Sequence, residues 1–160
     1  EGYERSLQAG LDALFAIAFT IALLTQWLSG PLIHALFGAA YDGAVPVLEL
    51  HIWGGIFIFM RSLLSRWLLA EDLLRYSLLT HFTGATVNVV ANWLLIPRYG
   101  ATGAAGATVL SYAVASWLAL FLARATRPMA FMMTRALLLP FRWSALARYC
   151  GHLRLALVKP

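Results

Sequence analysis

The sequence predicts an all-α polytopic membrane helix bundle of four transmembrane helices, followed by a basic amphipathic tail. Three observations carry that prediction. The chain of 160 residues is 61% hydrophobic and 12% charged, against about a quarter charged in soluble domains. Its mean hydropathy is +0.75. Its apolar residues gather into stretches that match the ~20 residues a helix needs to cross a bilayer. A soluble domain is excluded. The single cysteine, Cys150, excludes an intramolecular disulfide and most thiolate metal sites. The chain opens Glu1-Gly2-Tyr3 with neither an initiator Met nor a signal-peptide pattern, so a piece of a longer chain is expected.

Residues 1–127 divide into four predicted spans, at about 11–28, 45–69, 76–96 and 104–123, and residues 128–160 form the tail. The first span, Leu11 to Leu28, is apolar apart from Asp12, Thr20, Thr25 and Gln26. It is expected to end at Ser29-Gly30-Pro31, because proline cannot continue a helix without losing a backbone hydrogen bond. Pro31 to Leu48 then reads as an interfacial connector, interrupted by Gly38, Asp42, Gly43 and Pro46. The second span, about Val45 to Leu69, carries Glu49, His51, Arg61 and Arg66 and leads into a loop at Ala70-Glu71-Asp72.

In the third span, Ser77, His81, Gly84, Asn88 and Asn92 recur at spacings of three and four, so they share one polar face. That span is expected to stop at Pro97 and turn through Gly100 and Gly103. In the fourth, Gly103, Ala107, Ser111, Ala115 and Ala119 repeat every four residues, the small-residue spacing that lets two helices approach closely. Beyond Pro128, Arg135, Arg142, Arg148, Arg154 and Lys159 recur among Leu, Phe, Trp and Tyr. This is the pattern of a segment lying on an anionic membrane surface.

Charge placement orients the bundle. With four spans, Arg5, Arg66, Arg75, Arg124, Arg127 and the cations of the tail fall on one side, and Arg98 alone on the other. The positive-inside bias puts the first side, and the tail, in the cytoplasm.

Nothing resembles a nucleophile with its base, a phosphate-binding loop or a dinucleotide turn, so no catalytic residue and no cofactor is expected. The spacing of His34, Glu49 and His51 fits no metal pattern, and Glu71 and Asp72 read as balancing Arg66 and Arg75. Arg61 stands out. It lies roughly 12 Å inside its span at the helical rise, where a charge costs about 2.5–3.5 kcal/mol on insertion scales. It should therefore face a cavity or a partner. Glu49, Trp53, Phe57, Arg61 and Ser65 are spaced by four and are read as one face, with a cation for phosphate and aromatics for sugar rings. Arg61, Trp53, Phe57 and Asn88 are the candidates for a substrate cavity, and His81 and Glu49 for coupling. For Arg61 the alternatives are pairing with a helix outside this chain or snorkelling; for His81 the alternative to coupling is a satisfied structural histidine, and for Asn92 the reading is packing.

Two stretches carry a resemblance. Pro31 to Leu48 follows P-L-I-x-x-L-F-G-x-x-Y-x-x-A-x-P-V-L, and its span ends in W-L-x-A-E at Glu71. Gly84 to Ala105 follows G-A-x-x-N-x-x-x-N-x-x-L-I-P-x-Y-G-x-x-G-A-A. Over about Leu11 to Arg127 the chain resembles Wzx-type polysaccharide and O-antigen flippases of the multidrug/oligosaccharidyl-lipid/polysaccharide exporter superfamily. The resemblance implies that these four spans are part of the carboxyl-terminal bundle of a two-bundle transporter in the bacterial inner membrane. Such a protein flips undecaprenyl-diphosphate-linked oligosaccharide by alternating access, through a cavity lined by basic and aromatic side chains. The implied partners are that substrate, membrane lipids and the remainder of the same chain, with no nucleic acid. A multidrug or lipid II exporter of the same superfamily is the near alternative. A membrane-embedded glycan enzyme subunit is a different class, but it needs catalytic residues on sizeable outer loops, and those here hold only Asp42, Glu49 and Arg98. A purely structural subunit is a third class, against which Arg61 argues.

Overall fold

The computed structural model describes residues 2–142, and all of its regular structure there is helical. Helix α1 spans Gly2–Phe37, 36 residues. It passes straight through Pro31 and stops where Gly38 takes a φ of 82°, a conformation that glycine adopts without a Cβ clash. The end expected at Ser29-Gly30-Pro31 is therefore corrected. Pro31 withholds one backbone bond, to the carbonyl of Trp27, and apolar helices in membranes tolerate that loss.

A 3-10 turn, Ala39–Ala44, leads to α2, Val45–His51, which has Pro46 in its first turn, where the missing N–H is no loss. Helix α3 follows at Gly54–Ala70. The predicted second span is thus a bent pair, with a 42° change of direction at the break. There the helical bonds tighten: Gly55 N–H donates to the Ile52 carbonyl and Ile56 N–H to that of Trp53, three residues back. The expected interfacial connector is mostly helical.

After a short loop in which Asp72 has φ 56°, α4 runs Leu74–Ser116 and contains one reversal, at Gly100 (φ 56°, ψ −133°). Its limbs, 74–99 and 101–116, lie antiparallel. Asn88 Nδ2 donates to Ser111 Oγ at 3.2 Å across 23 residues of sequence, which a straight helix would place about 35 Å apart. Pro97 does not end the first limb as expected; it sits inside the helix as Pro31 does. The glycine turn itself is where the sequence put it. The returning limb stops at Ser116, short of the expected Ala123, because Leu118–Leu122 forms a 3-10 turn. Helix α5, Arg127–Leu137, and a last 3-10 turn at Leu139–Phe141 complete the described chain.

A single core forms where α1, α3, α5 and the turn after α4 meet. Leu11, Met60, Leu64, Leu120, Met129 and Met133 are completely buried there. Burial of Met129, Ala130, Met133 and Ala136 means that the apolar stripe of α5 packs on protein, whereas the sequence pattern predicts a membrane-surface segment from residue 128 onward. The rest of the predicted tail, with Arg148, Arg154 and Lys159, lies outside the described residues.

Much of the remaining surface is apolar: Trp27 is 84%, Leu78 76% and Trp93 75% exposed. Only 28% of the most apolar stretch of α1, and 33% of that of α4 with its following turn, is buried. Those two helices are long and apolar enough to cross a membrane, and the bent α2–α3 pair makes a third if taken as one span. Contiguous apolar surface of this extent is explained by a lipid solvent.

The limbs of α4 meet at small residues. A Cβ placed on Gly84 would lie 2.5 Å from that of Ala115, and one on Gly103 would lie 2.5 Å from the Leu95 carbonyl oxygen. Gly84→Val is expected to destabilise the hairpin by about 1–3 kcal/mol, the usual cost of overpacking. Gly55→Ala, at a helical position with nothing within 4 Å, should be neutral or slightly stabilising. Thermal unfolding in detergent compares the two.

Candidate functional site

Three helical segments each contribute one stripe to a polar groove of about 650 Å³. Helix α3 supplies Ile58, Arg61, Ser62 and Ser65, at the spacing of one helix face. The first limb of α4 supplies His81, Gly84, Ala85 and Asn88, and the returning limb Thr108, Ser111, Tyr112, Ala115 and Ser116. Hydroxyls predominate among the polar groups. The groove is open on one side, where Ser62, Ser65 and His81 are exposed.

Arg61 is the only charged residue among the groove's lining residues. It stands in the middle of α3, nine residues before Ala70, or about 13 Å at the helical rise. Its Nη1 donates to the Ala115 carbonyl at 2.6 Å and its Nη2 to Thr80 Oγ1 at 3.2 Å. Ala115 lies in the last turn of α4, where carbonyls lack helical partners and the helix dipole presents its negative end. The guanidinium thus caps a helix while standing in the groove wall. It has five N–H donors, so it can hold both anchors and still offer others to an anion. No carboxylate forms an ion pair with it among the described residues.

Asn88 is held by Ser111 and by Asn92, whose Nδ2 donates to the Asn88 carbonyl at 2.9 Å and to Oδ1 at 3.0 Å. Asn92 therefore supports Asn88 from behind and does not line the groove. The structure brings together Arg61, Asn88 and His81 of the sequence candidates. It separates the other three. Trp53 Nε1 donates to Gln26 Oε1 at 3.0 Å, and its ring packs edge-on to Phe19. Phe57 is half-buried outside the groove. Glu49 accepts a hydrogen bond from Ser29 Oγ at 2.8 Å, towards the far end of α1. The single face expected for residues 49 to 65 fails on geometry: positions four apart drift by about 40° per step on an α-helix, and the chain breaks between α2 and α3.

Sequence reasoning passed over Thr80, Ser62, Thr108, Tyr112 and Ser116. Thr80 lies three residues after Ser77 and four before Gly84, so the polar stripe itself pointed to it. It also passed over Asp12, which is 2% exposed. Gln8 Nε2 donates to Asp12 Oδ1 at 2.7 Å and to the Met132 carbonyl at 3.2 Å, and Arg142 lies 3.9 Å from Asp12 Oδ2. That cluster fastens α5 to α1. No group of His, Cys, Asp and Glu suited to a metal ion occurs among the described residues.

Neither a family model nor a solved structure matches the chain. An uncharacterized membrane protein of Methanocaldococcus jannaschii is 29% identical over 116 residues, which are 70% of this chain and 23% of that protein. The chain thus spans about a quarter of the length of the curated relative it matches. Fold and likeness together define a class: this is an all-helical membrane protein, whose polar groove lies between α3 and the two limbs of α4.

Thr80→Val removes one anchor of the guanidinium and retains the shape of the side chain. It should lower stability in detergent by about 1 kcal/mol, the usual worth of an interhelical hydrogen bond in a membrane protein. Melting curves of the variant and the parent measure this.

Proposed function

We propose that the chain is the carboxyl-terminal part of a flippase that carries undecaprenyl-diphosphate-linked oligosaccharide across the bacterial inner membrane for polysaccharide biosynthesis, by alternating access. One observation carries the reading: a guanidinium in the middle of an apolar helix, beside an open groove lined by hydroxyls and the Asn88 amide. A diphosphate-sugar head cannot enter hydrocarbon unaided, because its charges and hydroxyls would go unsolvated. A wet cationic passage meets that need. In this reading the groove is one wall of the passage, and the rest of the chain supplies the facing wall.

The topology agrees with this use. Taken as four passes, α1, the α2–α3 pair and the two limbs of α4 return the chain to the side on which it began. The Tyr3 hydroxyl donates to Glu71 Oε1 at 3.2 Å, and Gln8 reaches the Met132 carbonyl. Hence the start of α1, the α3–α4 loop and α5 gather at one end, with Arg5, Arg66, Arg75, Arg127 and Arg135. The positive-inside bias makes that end cytoplasmic. Alternating access then corresponds to rocking of this bundle against its partner bundle.

A structural subunit is the second reading, because Arg61 already caps the end of α4. A fold-only role and a transport role separate in one experiment. Arg61→Ala in the full-length protein should abolish surface polysaccharide while membrane-inserted protein stays at the parental level. Thr80→Val, which touches only the anchor, should export normally. Normal polysaccharide in the Arg61→Ala strain would remove Arg61 from the transport site.

A further inference from the structure

A second pocket, of about 410 Å³, lies between the first turns of α1 and the outer face of α5. Its polar lining consists of Glu4, Arg5, Gln8 and Arg135, and its apolar wall includes Phe131 and Met132. We propose that it binds the phosphodiester of an anionic glycerophospholipid, with the acyl chains lying along the exposed side of α5.

Three features of the pocket support that occupant. Its donors are the first: the guanidinium groups of Arg5 and Arg135 line it together with the amide of Gln8, and a guanidinium has five N–H donors, enough to serve a phosphodiester beside other partners. Its position is the second. The pocket lies at the end of the bundle where the start of α1 meets the α3–α4 loop through Tyr3 and Glu71, the arginine-rich end, where headgroups of a membrane reside. Basic pockets between helices at that level are headgroup sites by charge and by depth.

The third is the composition of the exposed stripe on α5. Phe131, Arg135 and Leu138 are separated by four and three residues and therefore share one face. Phe131 is 56% and Leu138 49% exposed, and Phe141 just beyond is 80% exposed. A cation flanked by exposed apolar side chains is poorly suited to water. It suits the boundary between headgroups and acyl chains. A free phosphate would use the arginines alone; a phospholipid uses the whole stripe.

The opposite face of α5 is occupied by the core through Met129, Met133 and Ala136, and Gln8 pins the helix through the Met132 carbonyl. The pocket is therefore held by packing that does not depend on the ligand. Neither the groove nor Arg61 takes part in it, so this site and the transport reading can fail independently.

Native mass spectrometry of the full-length protein in mild detergent, titrated with phosphatidylglycerol or phosphatidylcholine, tests the proposal. Phosphatidylglycerol should bind more tightly than phosphatidylcholine. The double variant Arg5→Gln/Arg135→Gln should lose roughly thirtyfold in that affinity, as two interfacial arginines contribute. The single variant Arg135→Gln, at an exposed position, should lose about fivefold and guards against misfolding of the double. Arg98→Gln, beside the Gly100 reversal, should change nothing. Undiminished phosphatidylglycerol binding in the double variant would overturn the site. So would equal binding of the two lipids, or displacement by water-soluble glycerophosphoglycerol at concentrations similar to the lipid's.

Discussion

The hydrogen bond from Arg61 to the Ala115 carbonyl is the interaction around which the rest is arranged. A charge in the middle of an apolar helix needs a partner, and the end of a helix leaves carbonyls without donors. Each deficiency answers the other. For the two to meet, α4 must fold back on itself so that its last turn returns to the level of α3. That reversal depends on Gly100, and its close approach on Gly84 and Gly103. The groove lies where these three segments converge, lined by the stripe each of them turns inward.

Polar side chains elsewhere in the apolar helices serve a different purpose. Ser29 with Glu49 and Gln26 with Trp53 tie α1 to the α2–α3 pair towards one end. Gln8 with Asp12 and Met132 ties α1 to α5 at the other. These pairs join helices to one another and lie outside the groove. The groove differs because it opens at Ser62, Ser65 and His81 and because its guanidinium keeps N–H donors beyond its two anchors. That contrast, more than polarity itself, separates a candidate site from structural fastening.

The helical class and the α4 hairpin were legible in the sequence because they follow from composition, from a 3.6-residue period and from a glycine that no other residue replaces easily. The polar face that carries His81, Gly84 and Asn88 was legible for the same reason. Helix ends were not. Pro31 and Pro97 both sit inside helices, since an apolar surrounding makes leaving the helix costlier than losing one bond. The bend between α2 and α3 also went unread, and with it the displacement of Trp53 and Glu49 from the site. Arg61 could be recognised from its depth alone, but its partners could not, because Thr80 and Ala115 lie 19 and 54 residues away. The inward face of α5 was hidden by its arginines: Met129, Met133 and Ala136 recur on it at helical spacing, yet the overall basic character suggested a surface.

We propose that the groove beside Arg61 is a water-filled passage for an anionic, hydroxyl-rich head. Thiol accessibility in the membrane tests it most directly. In a full-length background freed of its native cysteines, Cys150 included, Ser62→Cys and Asn88→Cys should react with a charged, water-soluble thiol reagent. Leu78→Cys, on an exposed apolar face, should not. Lipid-linked oligosaccharide should slow the reaction at the two groove positions. Groove thiols that react no faster than the one at position 78, or that react at a rate indifferent to the substrate, would contradict the account.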